Sequence, residues 1–400
     1  MTTVQLISFF LNGFLLSRLL IKIQLPERFV GFIFEKHHYS FSKVLLILVF
    51  SSSLLSAFIP NMITVITLLP LVVALDKNIK PISNNPAASS TAMALAIIYG
   101  ANIGGVGTII GTPPNALLVG FMTTNAIPGL EHVSFYKWLL WGLPLILLLS
   151  FSAWLLLNVF FKPSKLVHSA TRAEQLVTNS IHPLFRYGVS LGSIVFVLST
   201  LLSIGLANFP ELGITFVMLS LLLSLVFMVL LFVVKSNNGT PLLKIKDCYS
   251  DLPLKGIALA SVAVVFSGIL YALNLNEEIA KAIAFILPAN IPNSLLFIGF
   301  SLSTIFVTEV MSNIATQFAM FIVVEPLSGL LGFPLYTAMI TATLSCNTAF
   351  ASPIATPVNG LAFGSLPATS LKQMILAGLL MNIIAGVIIG LYAYYIIPLI

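Results

Sequence analysis

Apolar runs of bilayer length, separated by short polar connections, recur along almost the whole chain. The run from Trp138 to Phe161 and the run from Leu212 to Val234 each match the about 20 residues that a helix needs to cross a hydrocarbon core. Neither has the strict apolar/polar alternation of a barrel strand. A backbone facing lipid can satisfy its own hydrogen bonds only as a helix or a closed barrel. The pattern therefore predicts an all-α polytopic membrane protein, with membrane elements over residues 4–23, 43–75, 90–122, 134–161, 184–207, 211–235, 254–275, 294–328, 334–363 and 370–398.

Four of these segments do not read as plain helices. Residues 43–75 and 294–328 are too long for one crossing, and each is interrupted near its middle, by Ile59-Pro60-Asn61 and by Met311-Ser312-Asn313. Both are expected to be re-entrant helical hairpins. Residues 90–122 and 334–363 contain stretches rich in Gly, Thr, Pro and Asn, from Asn102 to Asn115 and from Asn347 to Asn359, that cannot stay helical throughout. Both are expected to be discontinuous transmembrane helices.

The two sets are copies of one another. Ser56-Ala-Phe-Ile-Pro-Asn61-Met-Ile-Thr64 lies over Thr308-Glu-Val-Met-Ser-Asn313-Ile-Ala-Thr316, and Gly111-Thr112-Pro113-Pro114-Asn115 lies over Ala355-Thr356-Pro357-Val358-Asn359. An odd number of crossings separates them, so an inverted repeat is expected. Its first copy spans residues 1–161, its second 187–400, and residues 162–186 form a cytoplasmic connection. Paired interruptions at corresponding positions of two halves point to a transporter site near the membrane midplane.

Composition agrees: 58% of residues are hydrophobic and 8% charged, against about a quarter charged in soluble domains. The net charge of +6 is scattered singly through the connections, which argues against nucleic acid as a partner. The basic residues serve topology instead. Lys162, Lys165, Arg172 and Arg186, with Lys235, Lys244, Lys246 and Lys255, place their connections in the cytoplasm of a plasma (inner) membrane. The first hairpin then enters from the cytoplasm and the second from outside. Residues 4–23 carry Asn12 and Arg18 and lack a cleavage pattern, so they read as a first membrane segment. Cys248 and Cys346 read as packing residues, and His37, His38, His132, His168 and His182 fall near predicted loops and read as solvated. No paired carboxylates, Ser/His/Asp set or metal cluster suggests an enzyme.

The breaks carry the chemistry. Unwinding frees carbonyls and N–H groups that lipid would penalise by several kcal/mol each unless they line a wet cavity or bind something. Carbonyls joined by Asn, Ser and Thr oxygens suit a hard cation, with sodium the natural candidate, and the starts of half-helices suit an anion. No Lys or Arg lies in the four interrupted regions, so an anion there needs bound cations to balance it. That is a physical route to symport. Glu309 is the acidic residue near a break, and both a functional and a structural role stay open for it.

With the paired Asn tips and the Thr-Pro-x-Asn stretches in view, the chain from about Leu6 to its end resembles the divalent anion:sodium symporter family, within the wider ion-transporter superfamily. The resemblance implies sodium-coupled symport of a di- or tricarboxylate or sulfate by an elevator motion in a homodimer. Carried over by position, one sodium site would use Ser56, Asn61 and the Gly111 carbonyl. A second would use Thr308, Asn313 and the carbonyls of Met311 and Ala355. Substrate would meet Asn61, Ser312 and Asn313, with Thr112, Pro113, Thr356 and Pro357 along the wall. Each hairpin tip of the family carries Ser-Asn-Thr, whereas this chain has Pro60-Asn61-Met62 and Ser312-Asn313-Ile314. Each absent hydroxyl removes about 1 kcal/mol of binding, so weak dicarboxylate affinity or a different anion is expected. One crossing precedes the first hairpin where three precede the second, so amino-terminal scaffold helices of the family are expected to be missing. An arsenite permease, a cation/proton antiporter or a partner-dependent membrane protein are the competing readings.

Overall fold

Proline and glycine set where the helices stop in the computed structural model of this chain, which describes residues 3–34, 38–79, 85–162, 167–169, 183–235, 239–249, 271–288 and 290–400, with single positions at 262, 265, 268 and 269. In the first half, α1 (Thr3–Lys22) and α2 (Leu25–Phe34) lead to a hairpin of α3 (Phe41–Ser56) and α4 (Asn61–Ile79). A broken helix follows as α5 (Pro86–Gly104) and α6 (Pro113–Thr124), then α7 (Phe135–Phe161). The second half runs through α8 (Phe185–Asn208), α9 (Gly213–Val233), the short α10 (Ile245–Tyr249) and α11 (Leu275–Ile286). Its hairpin is α12 (Asn293–Thr308) with α13 (Asn313–Leu331), its broken helix α14 (Leu335–Cys346) with α15 (Pro357–Gly364), and α16 (Leu371–Tyr395) closes the order. The fold is thus an all-α polytopic membrane architecture with two hairpins and two discontinuous helices. A short antiparallel pair, β1 (His38–Ser40) and β2 (Val167–Ser169), adds to it. Most of the predicted crossing at 254–275 and most of the connection at 162–186 lie outside the described residues.

Each interruption has a local cause. Pro60 supplies no N–H and keeps Ile59 out of helical geometry, so α3 ends and α4 starts afresh at Asn61. α6 and α15 begin on prolines at their first positions, where the missing N–H costs nothing and φ is already set. Thr112 and Thr356, just before them, are extended at φ −141° and −138°.

Apolar composition serves different ends in different helices. The most apolar stretch of α5 is 89% buried inside the protein, while that of the Pro210–Val233 segment is 22% buried and so faces lipid. α5 sits at the centre against α3, where Gly100 and Gly104 let the backbones touch. A methyl group on Gly100 would meet Ser52 Cβ at 2.5 Å, and one on Gly104 would strike the Ser53 carbonyl.

Two hydrophobic cores result. The larger joins the hairpins, the broken helices, α7 and α16. The smaller packs Leu15, Leu16, Leu19 and Ile23 of α1 and its end against Leu191 and Val195 of α8 and Phe227 and Leu231 of α9. Ser8 of α1 donates to the Ser220 carbonyl of α9 at 2.8 Å, so the first helix belongs structurally with the second half. The two bodies meet through aromatic rings: Phe9 stacks on Phe135 at 5.5 Å, and Phe196 lies edge-on to Phe58 and Phe135.

Two elements escaped the sequence pattern. α2 and α11 are amphipathic, carry Glu27 and Glu277/Glu278 in their first turns, and precede the hairpins in their respective halves. Each packs against the hairpin that follows it. His132 also corrects an expectation. Instead of being solvated, its side chain is 15% exposed and stacks flat on Tyr336 with centroids 4.8 Å apart. His37 and His182 lie outside the described residues.

Candidate functional site

The two hairpin tips are built alike. At the first, the Ser56 hydroxyl donates to Asn61 Oδ1 at 2.7 Å. At the second, the Thr308 hydroxyl stands 3.0 Å from Asn313 Oδ1 and 2.9 Å from the Cys346 carbonyl. Ser56 and Thr308 end the incoming helices and are fully buried, while each asparagine opens the outgoing one. Thr64 and Thr316, one turn further on, are buried with hydroxyls that have no partner among the described residues.

The breaks are held open by matching asparagines. Asn115 Nδ2 donates to the carbonyls of Gly105 and Thr108 at 2.8 and 2.7 Å. Asn359 Nδ2 donates to those of Ala349 and Ser352 at 3.1 and 2.9 Å. The sequence separations are ten and seven residues in both copies. These amides satisfy carbonyls that unwinding would otherwise orphan.

The copies also grip one another. Asn102 Nδ2 donates to Asn359 Oδ1 at 3.0 Å and to the Ala349 carbonyl at 2.8 Å, while Asn347 Nδ2 donates to Asn115 Oδ1 at 3.3 Å. Asn313 Nδ2 reaches Asn347 Oδ1 at 3.3 Å, and Gln317 Nε2 reaches the Pro114 carbonyl at 2.8 Å. The second tip is therefore wired into the first break.

Gly105 brings the first tip against the first break. A methyl group there would lie 2.5 Å from Thr112 Cγ2 and 2.9 Å from Asn61 Oδ1. Gly111 backs onto the Gly105 carbonyl in the same way, at 2.5 Å. Ser56, Asn61, Gly111 and Thr112 thus cluster around Gly105. At the second tip Thr308, Asn313 and the Cys346 carbonyl come together. Ser312 caps α13 by accepting from the Ala315 N–H at 3.2 Å, and the Met311 side chain is exposed. Thr356 donates to Asn359 Oδ1 at 2.8 Å and caps α15, Ala355 beside it is half-buried, and Pro113 and Pro357 are exposed.

Glu309 takes a role the sequence left open. Its Oε1 accepts from the N–H groups of Phe350 and Ala351 at 2.8 Å and from Asn382 Nδ2 at 2.7 Å. Its Oε2 accepts from the Ser352 N–H at 2.8 Å. The carboxylate stands in for the carbonyls that a continuous helix would have offered. In the first half Thr108 bonds the Ala57 carbonyl and the Trp138 indole donates to the Val106 carbonyl at 3.0 Å.

Two hairpin tips and two helix breaks wired together at the centre of an inverted repeat define a secondary membrane transporter. A family model described as citrate transporter, CitMHS, matches residues 2–328, and the chain belongs to that family. It is 27% identical over 98% of its length to a sodium-dependent dicarboxylate transporter, SdcS, of Staphylococcus saprophyticus, covering 77% of that protein. It is 28% identical over 99% of its length to SdcS of Staphylococcus aureus, again covering 77%. Its fold is similar to MtrF of Neisseria gonorrhoeae, described within a class of antimetabolite efflux pumps, with TM-score 0.64, 16% identity and coverage of 98% and 80% of the two chains. YdaH of Alcanivorax borkumensis, a transporter with an unusual topology, gives 0.59 at 13% identity, covering 98% and 85%. The chain is thus a multi-pass transporter of the divalent anion:sodium symporter type and not an enzyme.

Proposed function

We propose that the chain carries a small anion across the plasma (inner) membrane together with sodium, by an elevator motion of the larger core against the smaller one, as a homodimer. The observation that carries the reading is the paired hydroxyl and asparagine at both tips, Ser56 with Asn61 and Thr308 with Asn313, beside interruptions that hold no Lys or Arg. Each pair sets two hard oxygens beside backbone carbonyls, a donor set suited to sodium. One site takes Ser56, Asn61 and Gly111, the other Thr308, Met311, Asn313 and Ala355. A bound cation at each tip supplies the positive charge that the side chains lack. Anion binding then depends on the cation, and the dependence is reciprocal. Substrate lies between the tips, near Asn61, Ser312 and Asn313, with Thr112, Pro113, Thr356 and Pro357 beside it. The names of the SdcS relatives support sodium and a carboxylate as the pair.

Proton antiport is less favoured. Both Glu309 oxygens are already engaged by four donors, which commits the residue to the break.

Purified protein in nanodiscs tests the reading through thermal unfolding in sodium against choline. A cation present at 100 times its dissociation constant adds about 2.7 kcal/mol, a shift of several degrees. Asn313→Ala removes a side-chain ligand of the second site and should abolish most of that shift. An unchanged sodium response in this variant refutes the site assignment. Vesicles that take up no anion in a sodium gradient refute the transport reading.

A further inference from the structure

A hydrogen bond crosses the seam between the two cores. The Tyr136 N–H, in the first turn of α7, donates to the Ser203 hydroxyl of α8 at 3.3 Å. α7 packs in the larger core and α8 in the smaller.

The same N–H has a second acceptor within one bond rotation. Ser134 holds the cap position of α7 with φ −65° and ψ 156°, the extended conformation of a helix-capping serine. A capping hydroxyl accepts from the second or third N–H of its helix, and Tyr136 is the second residue of α7. Yet Ser134 makes no capping bond, and its hydroxyl is buried without a partner among the described residues. Ser203, itself buried, has taken its place. The start of α7 thus has two serines for one N–H, one from its own core and one from the other.

The rest of the seam carries spare polar groups in the same way. A narrow cavity there is lined by Phe9 and Asn12 of α1, Phe196 and Ser199 of α8, and Ile110 and Phe135. The Asn12 side-chain oxygen and the Ser199 hydroxyl, both in residues 4% exposed, also lack partners among the described residues. Buried polar groups of a permanent interface are nearly always paired. Three spare groups along one seam fit an interface whose partners are exchanged.

We infer that Ser203 and Ser134 are alternate caps of α7. Ser203 accepts the Tyr136 N–H while the cores are docked as here, and Ser134 turns in to accept it when they part, so the N–H is orphaned in neither placement. The inference rests on the motion of the larger core proposed above and supplies a device that keeps docked and parted placements close in energy. Both serines act by positioning α7, and neither touches substrate.

Amide hydrogen exchange on the full protein in nanodiscs, read by mass spectrometry on peptides containing Tyr136, tests the pair. In the unaltered protein and in Ser203→Ala, where Ser134 takes over, the Tyr136 amide should exchange equally slowly. In Ser134→Ala it should exchange about twofold faster, because each parting leaves it bare, and with both serines replaced about fivefold faster, the loss expected of one cap. Peptides from the buried α5 report that each variant is folded. Ser203→Ala exchanging as fast as the double variant, or a double variant no faster than the unaltered protein, overturns the inference and leaves the proposed motion and sodium coupling untouched. A fast double variant beside an unchanged Ser134→Ala shows cores that stay docked, and the motion then fails and the exchange of caps with it.

Discussion

Asn102 donates its side-chain amide to Asn359 Oδ1 at 3.0 Å across 257 residues of sequence, and Asn347 answers by donating to Asn115 at 3.3 Å. Each asparagine before a break thus supports the asparagine after the break in the other copy. The wall of the site is shared between halves rather than built by each alone.

Asn102→Ala removes one of the two donors at the fully buried Ala349 carbonyl and one at Asn359 Oδ1. Weakened buried acceptors of this kind cost about 1–3 kcal/mol. The variant should lose several degrees of thermal stability, and sodium should recover part of the loss.

Glu309→Gln keeps the shape of the side chain but turns an NH2 group toward backbone donors. With its oxygen at the Oε1 position the neutral amide can still accept from Phe350, Ala351 and Asn382, each bond now lacking the charge, while its NH2 group faces the Ser352 N–H. Bonds to a charged group contribute about 1.5–3 kcal/mol each, so a loss of several kcal/mol is expected. Reduced yield and melting temperature in detergent would show it. Near-normal stability would mean that the break does not depend on the carboxylate.

Gly105→Ala crowds the first tip directly. Gly105 has ordinary helical dihedrals, φ −58° and ψ −23°, so alanine strains no backbone angle. Its methyl group would press on Thr112 and Asn61 at 2.5 and 2.9 Å. The variant should lose the first tip's share of the sodium response, and the overlap with buried Thr112 should cost about 1–3 kcal/mol of stability in choline.

His132 gives the pH dependence. It lies in the connection Leu130–Val133, where burial first and Lys137 second hold its imidazole below the ordinary histidine value, with Glu131 opposing. A depressed value means that the unfolded chain binds the proton more readily. The penalty therefore begins as pH falls below about 6.5 and is complete once pH passes the lowered value of the folded state. His132→Phe, which keeps a ring on Tyr336, should flatten the acid limb of stability between about pH 7 and 5. An unchanged limb would assign the acid sensitivity to other groups.

The interruptions were legible because proline and glycine leave a mark that needs no partner. Pro60, the paired prolines after Thr112 and the Thr356-Pro357 step mark three of the interruptions in company with Asn, Thr or Gly, whereas Pro70, Pro144 and Pro326 sit inside continuous helices and the second tip, Met311-Ser312-Asn313, has no proline. The amphipathic α2 and α11 were missed for the opposite reason. Their charged first turns cut the apolar runs short, although Ile279, Ala280 and Ile283 recur at helical spacing and Glu277 and Glu278 mark a helix start. The partners of Asn102, Asn347 and Glu309 could not be read from sequence at all. They lie 257, 232 and 41 to 73 residues away, and only the packing of one copy on the other brings them within bonding distance.

The placement of α1 against α8 and α9 bears on how the chain is made. Ser8 emerges from the ribosome more than two hundred residues ahead of Ser220, its acceptor. During synthesis α1 therefore enters the bilayer ahead of its acceptor, with a polar face turned to lipid or lent to the insertion machinery. Depletion of that machinery should harm this protein before any defect in transport is visible, and a chain released before α9 has entered would be a ready substrate for membrane proteases.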